Sequence, residues 1–309
     1  MRAAPHQAAS GSFGLAARGA ISRRVRRLRQ GQATTANAQT RSHMNNPGYR
    51  GEDATSWQRS HREINKDVFD AGEDLANETW RMLGGVRVTA GDAGEIATAV
   101  LLLRGLEHFE ALLLIGEHGY VAGARILARS ILEVLFTLGA VGADEGTLRQ
   151  WGRDVSREKL RRLEKLTGSS RFGSDPSVVN VNKELRATLQ AEVDAMEKTR
   201  LTVEYLARKA ELHDLYLVAY PLYSADTHST ALSLERNLGS NEDGVLDRIA
   251  AGPECGDIPH VLAVSGLALI ECADRTAQHR GDALGNEMER LRVRFEALVG
   301  TTTPKSDEA

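Results

Sequence analysis

Cysteine is nearly missing from this chain of 309 residues, which has only Cys255 and Cys272. Two cysteines cannot build a disulfide framework, and neither stands at metal-ligand spacing, so the sequence points to a reducing, cytoplasmic setting and to no metal. No uninterrupted apolar run reaches the roughly 18 to 20 residues of a membrane span. The best candidate, Ile258 to Ile270, contains His260 and Ser265. A soluble protein with no membrane partner is the expectation. Strand-like alternation of any length is missing too, as is any internal repeat. Also missing are a phosphate-cradling loop of the Walker or dinucleotide kind, a Gly-x-Ser-x-Gly elbow, a Cys-x-x-Cys pair and a Glu-x-x-His step. Nothing in the sequence therefore implies a cofactor.

Acidic residues are missing from the first 51 positions, which hold nine Arg and no Asp or Glu. The formal net charge of -3 averages this basic arm with a body that keeps 30 basic against 42 acidic residues. An acidic body is a poor electrostatic match to nucleic acid, so any such contact would run through the leader or a local patch. Residues 1–51 are expected to be a disordered basic leader, rich in Ala, Gly, Ser and Gln, with Arg23, Arg24, Arg26, Arg27 and Arg29 clustered. Three origins stay open: a start-site artefact with translation beginning at Met44, an organelle-targeting segment, or a basic tail for anionic surfaces. A secretory signal would need an apolar core after the basic part, and none follows.

What is present is helical periodicity. Thr55 to Leu83 carries apolar residues at three- and four-residue steps and ends at Gly84 and Gly85. Asp92 with Glu95 forms a capping-box pattern ahead of a second helix, Ile96 to Glu117. Gly116 and Gly119 bracket its end, and the short connection to the next helix predicts an antiparallel hairpin. After Gly139 to Ala143, Asp144 to Leu166 is a more charged helix. Asp175 and Pro176 open another toward Arg200. Thr202 to Leu222 is expected to kink at Pro221 before Tyr223 to Leu238. Gly239 to Asp257 has loop composition, and helices near Ile258 to His279 and Asn286 to Val299 complete the chain. The expectation is an all-α, bundle-like single domain over residues 52–300, with a disordered tail at 301–309.

The chain is organised around Ala122 to Leu138. Its apolar residues fall on every side, which marks a buried rather than an amphipathic helix. Yet it carries Arg125, Arg129 and Glu133, and four-residue spacing lines the three up in one stripe. A buried charge left unpaired costs several kcal/mol, so each needs a partner or water. Arg129 and Glu133 have the weaker in-helix orientation, which favours partners on another helix. Either the stripe is a structural ion-pair lock or it lines a ligand or catalytic site.

A second stretch, Leu212 to Glu235, holds Tyr216, Tyr220, Tyr223, Ser224, Thr227 and His228. Continued helix would put Ser224 and His228 on one face with Tyr220 above them, either a base beside its nucleophile or a hydrogen-bonded core pair. The run Ala128-Arg129-Ser130-Ile131-Leu132-Glu133, followed by Tyr216, Tyr220, Tyr223, Ser224, His228 and Ser229 at their spacing, resembles family 5677 of the domains of unknown function, helical bacterial proteins. The resemblance covers roughly Ile96 to Arg280. It implies that Arg129, Glu133, Ser224 and His228 belong to one shared feature, and it carries no reaction with it.

The expected centre is thus a buried polar site of Arg125, Arg129, Glu133, Tyr220, Tyr223, Ser224 and His228 that takes a small polar or anionic ligand. An alternative is a non-catalytic interaction domain in which the same residues only lock helices. Another is a metal-independent ribonuclease of the HEPN kind, since Arg208 and His213 have the Arg-to-His spacing of those helical nucleases, although such a spacing also arises by chance. His213-Asp214 is a weak match to metal-dependent HD phosphohydrolases, and Glu107, His108, Glu110, Glu117 and His118 are better explained as a charged helix face. Oligomeric state is left open by the sequence.

Overall fold

The structure, a computed structural model, describes residues 49, 52–87, 91–167, 176–194, 201–227, 237–240, 246–249 and 252–301. The expected leader (apart from Tyr49), residues 302–309 of the tail, and His228 lie outside the described residues.

Helical periodicity becomes helix almost throughout, and the described residues are all-α apart from one small hairpin. The first pattern forms two helices, α1 (Glu52–Ile64) and α2 (Lys66–Gly85), broken at Asn65. There the Asn65 side chain folds back to the His61 carbonyl at 2.9 Å, the local bond by which Asn competes with a helix. Helix α3 (Ala93–Glu117) starts where Asp92 accepts from the backbone N–H groups of Gly94 and Glu95, both at 2.9 Å. Gly119 (φ 75) makes the turn into α4 (Val121–Ala143). A Cβ at Gly119 would sit 2.6 Å from the Trp57 ring and 2.8 Å from the Glu254 backbone nitrogen, so glycine serves both the backbone angle and the packing. The pair is antiparallel: Gly123 lies against Ile115, Gly105 against Val134 and Gly142 against Thr98.

Helix α4 runs through Gly139 to Ala143, where the sequence suggested a connector. The reason is packing: a Cβ at Gly139 would lie 2.6 Å from Arg275 Nη1 and 2.8 Å from Ala210 Cβ, so the glycine lets α10 (Ile258–His279) and the end of α7 (Val203–Lys209) come close. Asp144 then caps α5 (Glu145–Thr167) through Thr147 N–H at 2.9 Å. Pro176 opens α6 (Pro176–Asp194), which pairs with α5 over a small separate core of Leu160, Leu163 and Leu189.

The stretch expected to kink at Pro221 is instead cut twice upstream. Glu211 takes a left-handed φ of 58 between α7 and α8 (His213–Val218), and Ala219 separates α8 from α9 (Tyr220–Thr227). Pro221 falls in the first turn of α9, where a missing N–H costs nothing. Within the stretch read as loop, β1 (Leu238–Ser240) pairs antiparallel with β2 (Leu246–Ile249), strands too short to show alternation. Helix α11 (Asn286–Thr301) closes the described chain.

Helix α4 packs on α3, α5, α7, α9 and α10, while α10 also packs on α2, α3 and α11. One continuous core runs from Val68 to Val299, with Phe69, Phe109, Phe136 and Phe295 fully buried. Each such ring is worth roughly 1.5 to 3 kcal/mol by area. By length and mean hydropathy α4 is apolar enough to cross a membrane, and more than half of its most apolar window is buried inside the protein. Arg125, Arg129 and Glu133 interrupt its apolar run.

Candidate functional site

The charged stripe of α4 meets two different neighbours, and the structure divides the expected polar centre accordingly. At the N-terminal end, Arg125 is held by two carboxylates from other elements. Its Nη2 donates to Asp257 Oδ2 at 2.9 Å, its Nε lies 3.2 Å from both Asp257 oxygens, and its Nη1 reaches Asp226 Oδ2 at 3.4 Å. The Asp226 side chain is 1% exposed. Burial disfavours the guanidinium charge, but the two carboxylates outweigh it and hold the Arg125 pKa above its usual value. Asp257 occupies the capping position of α10 without making a side-chain cap; Pro259, two residues later, has no N–H to satisfy. Its carboxylate is thus free for Arg125. Tyr223 is buried at this end, where desolvation and then the charge of Asp257 push its phenol pKa up.

One turn along α4, Arg129, Glu133 and Tyr220 form a closed triangle. Arg129 Nε donates to Glu133 Oε1 at 3.0 Å and to Tyr220 OH at 3.1 Å, while Tyr220 OH donates to the same Glu133 oxygen at 2.7 Å. Arg129 Nη2 lies 2.9 Å from that oxygen. The in-helix pair that orientation disfavours forms after all, because Tyr220 of α9 supplies the bridge between its members. The guanidinium also sits over the Tyr220 ring at 5.2 Å. Burial opposes the Arg129 charge, yet the bond with Tyr220 and the charge of Glu133 raise its pKa. Burial and the bond to Glu133 push the Tyr220 phenol up to about 12, so it is a proton donor and not a phenolate.

Behind Tyr220 the rings of Tyr216 and His213 continue in a stack, with centroid spacings of 5.2 and 5.9 Å, and Phe136 of α4 packs against both tyrosines. The positions 213, 216 and 220 keep helical spacing across the break at Ala219, which is how the ladder forms. Across α3, burial and then the charge of Arg104 lower the His108 pKa, while Glu107 and Glu133 work the other way.

Of the residues singled out from sequence, Arg129, Glu133 and Tyr220 come together; Arg125 and Tyr223 belong to the neighbouring lock. Ser224 is half-buried on α9, and His228 falls outside the described residues. Asp226 and Asp257 were missed. The demand for an acid opposite a buried Arg125 was visible in the sequence, but which acid met it depended on the breaks at Glu211 and Ala219. Arg208 and His213 do converge, both on Glu204, at 2.8 and 3.3 Å. Several of the acidic and imidazole groups on and just after α3 have side-chain or backbone partners: Glu107 bonds Arg104, Glu110 bonds Trp80, Glu117 bonds Arg62, and His118 bonds the Leu114 carbonyl. No group of three or more metal-ligating side chains occurs among the described residues.

Neither the curated proteins nor the solved structures hold a match to this chain. The family of unknown function DUF5677 does match, over residues 95–245. This stretch stops short of the Arg280 suggested by the sequence motifs. It contains the whole Arg129, Glu133 and Tyr220 triangle and leaves out Asp257. Over residues 95–245, just under half of its length, this chain is similar to the DUF5677 family.

Proposed function

We propose that the surface around Arg129 binds a small polar or anionic group. The observation that carries this reading is the way the triangle shares its atoms. A single oxygen, Glu133 Oε1, collects Arg129 Nε, Arg129 Nη2 and the Tyr220 hydroxyl. Among the described residues, this leaves Arg129 Nη1 and Glu133 Oε2 for a further partner. A planar guanidinium held along one edge offers its remaining donors to a carboxylate or phosphate without losing much rotamer freedom. In this reading Arg129 makes the charge-assisted contact and Glu133 fixes its orientation. Tyr220 supplies a phenolic proton, and His228, which follows α9, supplies an imidazole that gives or takes one.

A second reading has its own support. The Arg125 lock is what an interaction or scaffold domain would use to tie α4 to α9 and α10, and it needs no ligand. The ribonuclease reading gains less, because Glu204 already engages both Arg208 and His213, and the body of the chain is acidic.

A thermal-shift screen of carboxylates, phosphates and nucleotides on the full chain tests the proposal. A stabilising compound whose effect disappears in Glu133→Gln and Tyr220→Phe supports it. A screen that finds no stabilising compound, or an effect unchanged in both variants, favours the scaffold reading.

A further inference from the structure

The ion pair at the centre of the candidate site carries no net charge, and that narrows what it can hold. Arg129 Nη2 and Glu133 Oε1 lie 2.9 Å apart, and both side chains still reach solvent, at 19 and 36% exposure. An anion on Arg129 is therefore attracted by the guanidinium and repelled, from nearly the same distance, by the Glu133 carboxylate.

The groups around Glu133 do little to soften that repulsion. Tyr220 OH donates to Glu133 Oε1 but brings no charge. On α4 the neighbouring hydroxyls of Ser130 and Thr137 bond carbonyls of their own helix, at 3.1 and 2.8 Å. His108, the imidazole of α3 that feels the charge of Glu133, is kept mostly neutral near pH 7, because burial and then the charge of Arg104 lower its pKa. Glu133 thus keeps a negatively charged acceptor next to a guanidinium that has donors to spare. A ligand with only a carboxylate uses half of this arrangement, and a ligand with only an amine meets the opposite conflict at Arg129. One that carries an ammonium beside its carboxylate satisfies both, carboxylate to Arg129 and ammonium to Glu133. Each single-charge competitor is rejected by the group it leaves opposed.

Resting on the reading of the Arg129 surface as a binding site, we propose that its ligand class is the zwitterionic α-amino acid. Titration of the full chain with the standard L-amino acids, followed through the Arg129 Nε–Hε signal, tests it. The tightest of them is then compared with its N-acetyl derivative and with its decarboxylated amine. Both modified forms are expected to bind more weakly than the free amino acid by about tenfold or more. In Glu133→Gln the gap between the free and the N-acetyl forms closes, a change in ratio that a merely structural role for Glu133 would not produce. Free and N-acetyl forms that bind alike in the parent protein overturn the proposal and leave the anion reading of the site standing, as does a signal moved by phosphate or a dicarboxylate and by no amino acid. A gap that persists in Glu133→Gln overturns it too, because the ammonium then has another partner. A signal that no probe moves removes both readings.

Discussion

Tyr220 donates its phenolic proton to Glu133 at 2.7 Å across the boundary between α9 and α4, onto the same oxygen that Arg129 uses. The bond ties a short helix, bounded by a backbone break, to the most heavily packed helix of the chain. It also holds the Glu133 carboxylate against Arg129.

The triangle acts as a unit in stability measurements. Tyr220→Phe and Glu133→Gln are each expected to cost about 1 to 2 kcal/mol, the range for hydrogen bonds to charged groups that are partly solvated. Made together, they cost less than the sum by about 0.5 kcal/mol or more. Urea denaturation of the parent, the two single variants and the double variant measures this. Strict additivity would separate the two residues energetically.

The Arg125 lock carries more. Arg125→Met leaves the Asp226 carboxylate, 1% exposed, without this cation, and breaking a buried pair from one side costs about 3 to 5 kcal/mol. Changing Asp226→Leu in the same protein recovers part of that loss, since a carboxylate no longer has to be buried without its Arg. A thermal midpoint equal to the parent's in Arg125→Met would show that water reaches Asp226.

One buried imidazole sets a pH limit. His61 stacks on Trp57 at 4.7 Å and meets the edge of Phe69 at 5.5 Å, and burial lowers its pKa from 6.5 to about 4, with the Gly116 carbonyl opposing the shift. The folded protein keeps this ring neutral while the unfolded chain protonates it. Its contribution is therefore complete above about pH 6.5 and is lost as the pH falls toward 4. Urea midpoints near pH 7 and pH 4.5 are expected to differ more in the parent than in His61→Phe, which keeps a ring between Trp57 and Phe69. An equal difference in both would place the acid sensitivity elsewhere.

The crossing of α4 and α10 tolerates no added carbon. Gly139→Ala puts a methyl 2.6 Å from Arg275 Nη1 and 2.8 Å from Ala210 Cβ. The Arg275 end can swing away, but Ala210 moves only with its backbone, so a loss of about 1 to 3 kcal/mol is expected in chemical denaturation.

The long helices were legible in the sequence because their apolar periodicity runs for twenty residues or more, and the Asp92 cap and the α3 to α4 turn are local chemistry. The break at Asn65 was not, since a side chain folding back on the preceding turn leaves no periodic trace. The same holds for Glu211 and Ala219, where packing rather than Pro221 ends the helices. That error mattered for the site. It left the register between α9 and α4 unknown, so Tyr223, which turns to the Arg125 end, could not be told from Tyr220, which turns to Arg129. The need for partners on another helix was sound physics, but the partner of Arg129 proved to be a phenol shared with Glu133, while Asp226 and Asp257 went to Arg125.

The most direct measurement of the central claim is the Nε–Hε correlation spectrum of the arginine-labelled full chain, with the two signals assigned by their loss in Arg129→Lys and Arg125→Lys. Both hydrogens are expected to exchange slowly with water, being held by Glu133 and Tyr220 in one case and by Asp257 in the other. With inorganic phosphate or a short dicarboxylate added as probe, the Arg129 signal is expected to shift in a saturable way while Arg125 stays in place. If Arg129 is unmoved by every probe, or both signals drift together as they would with bulk salt, the Arg129 surface is no binding site.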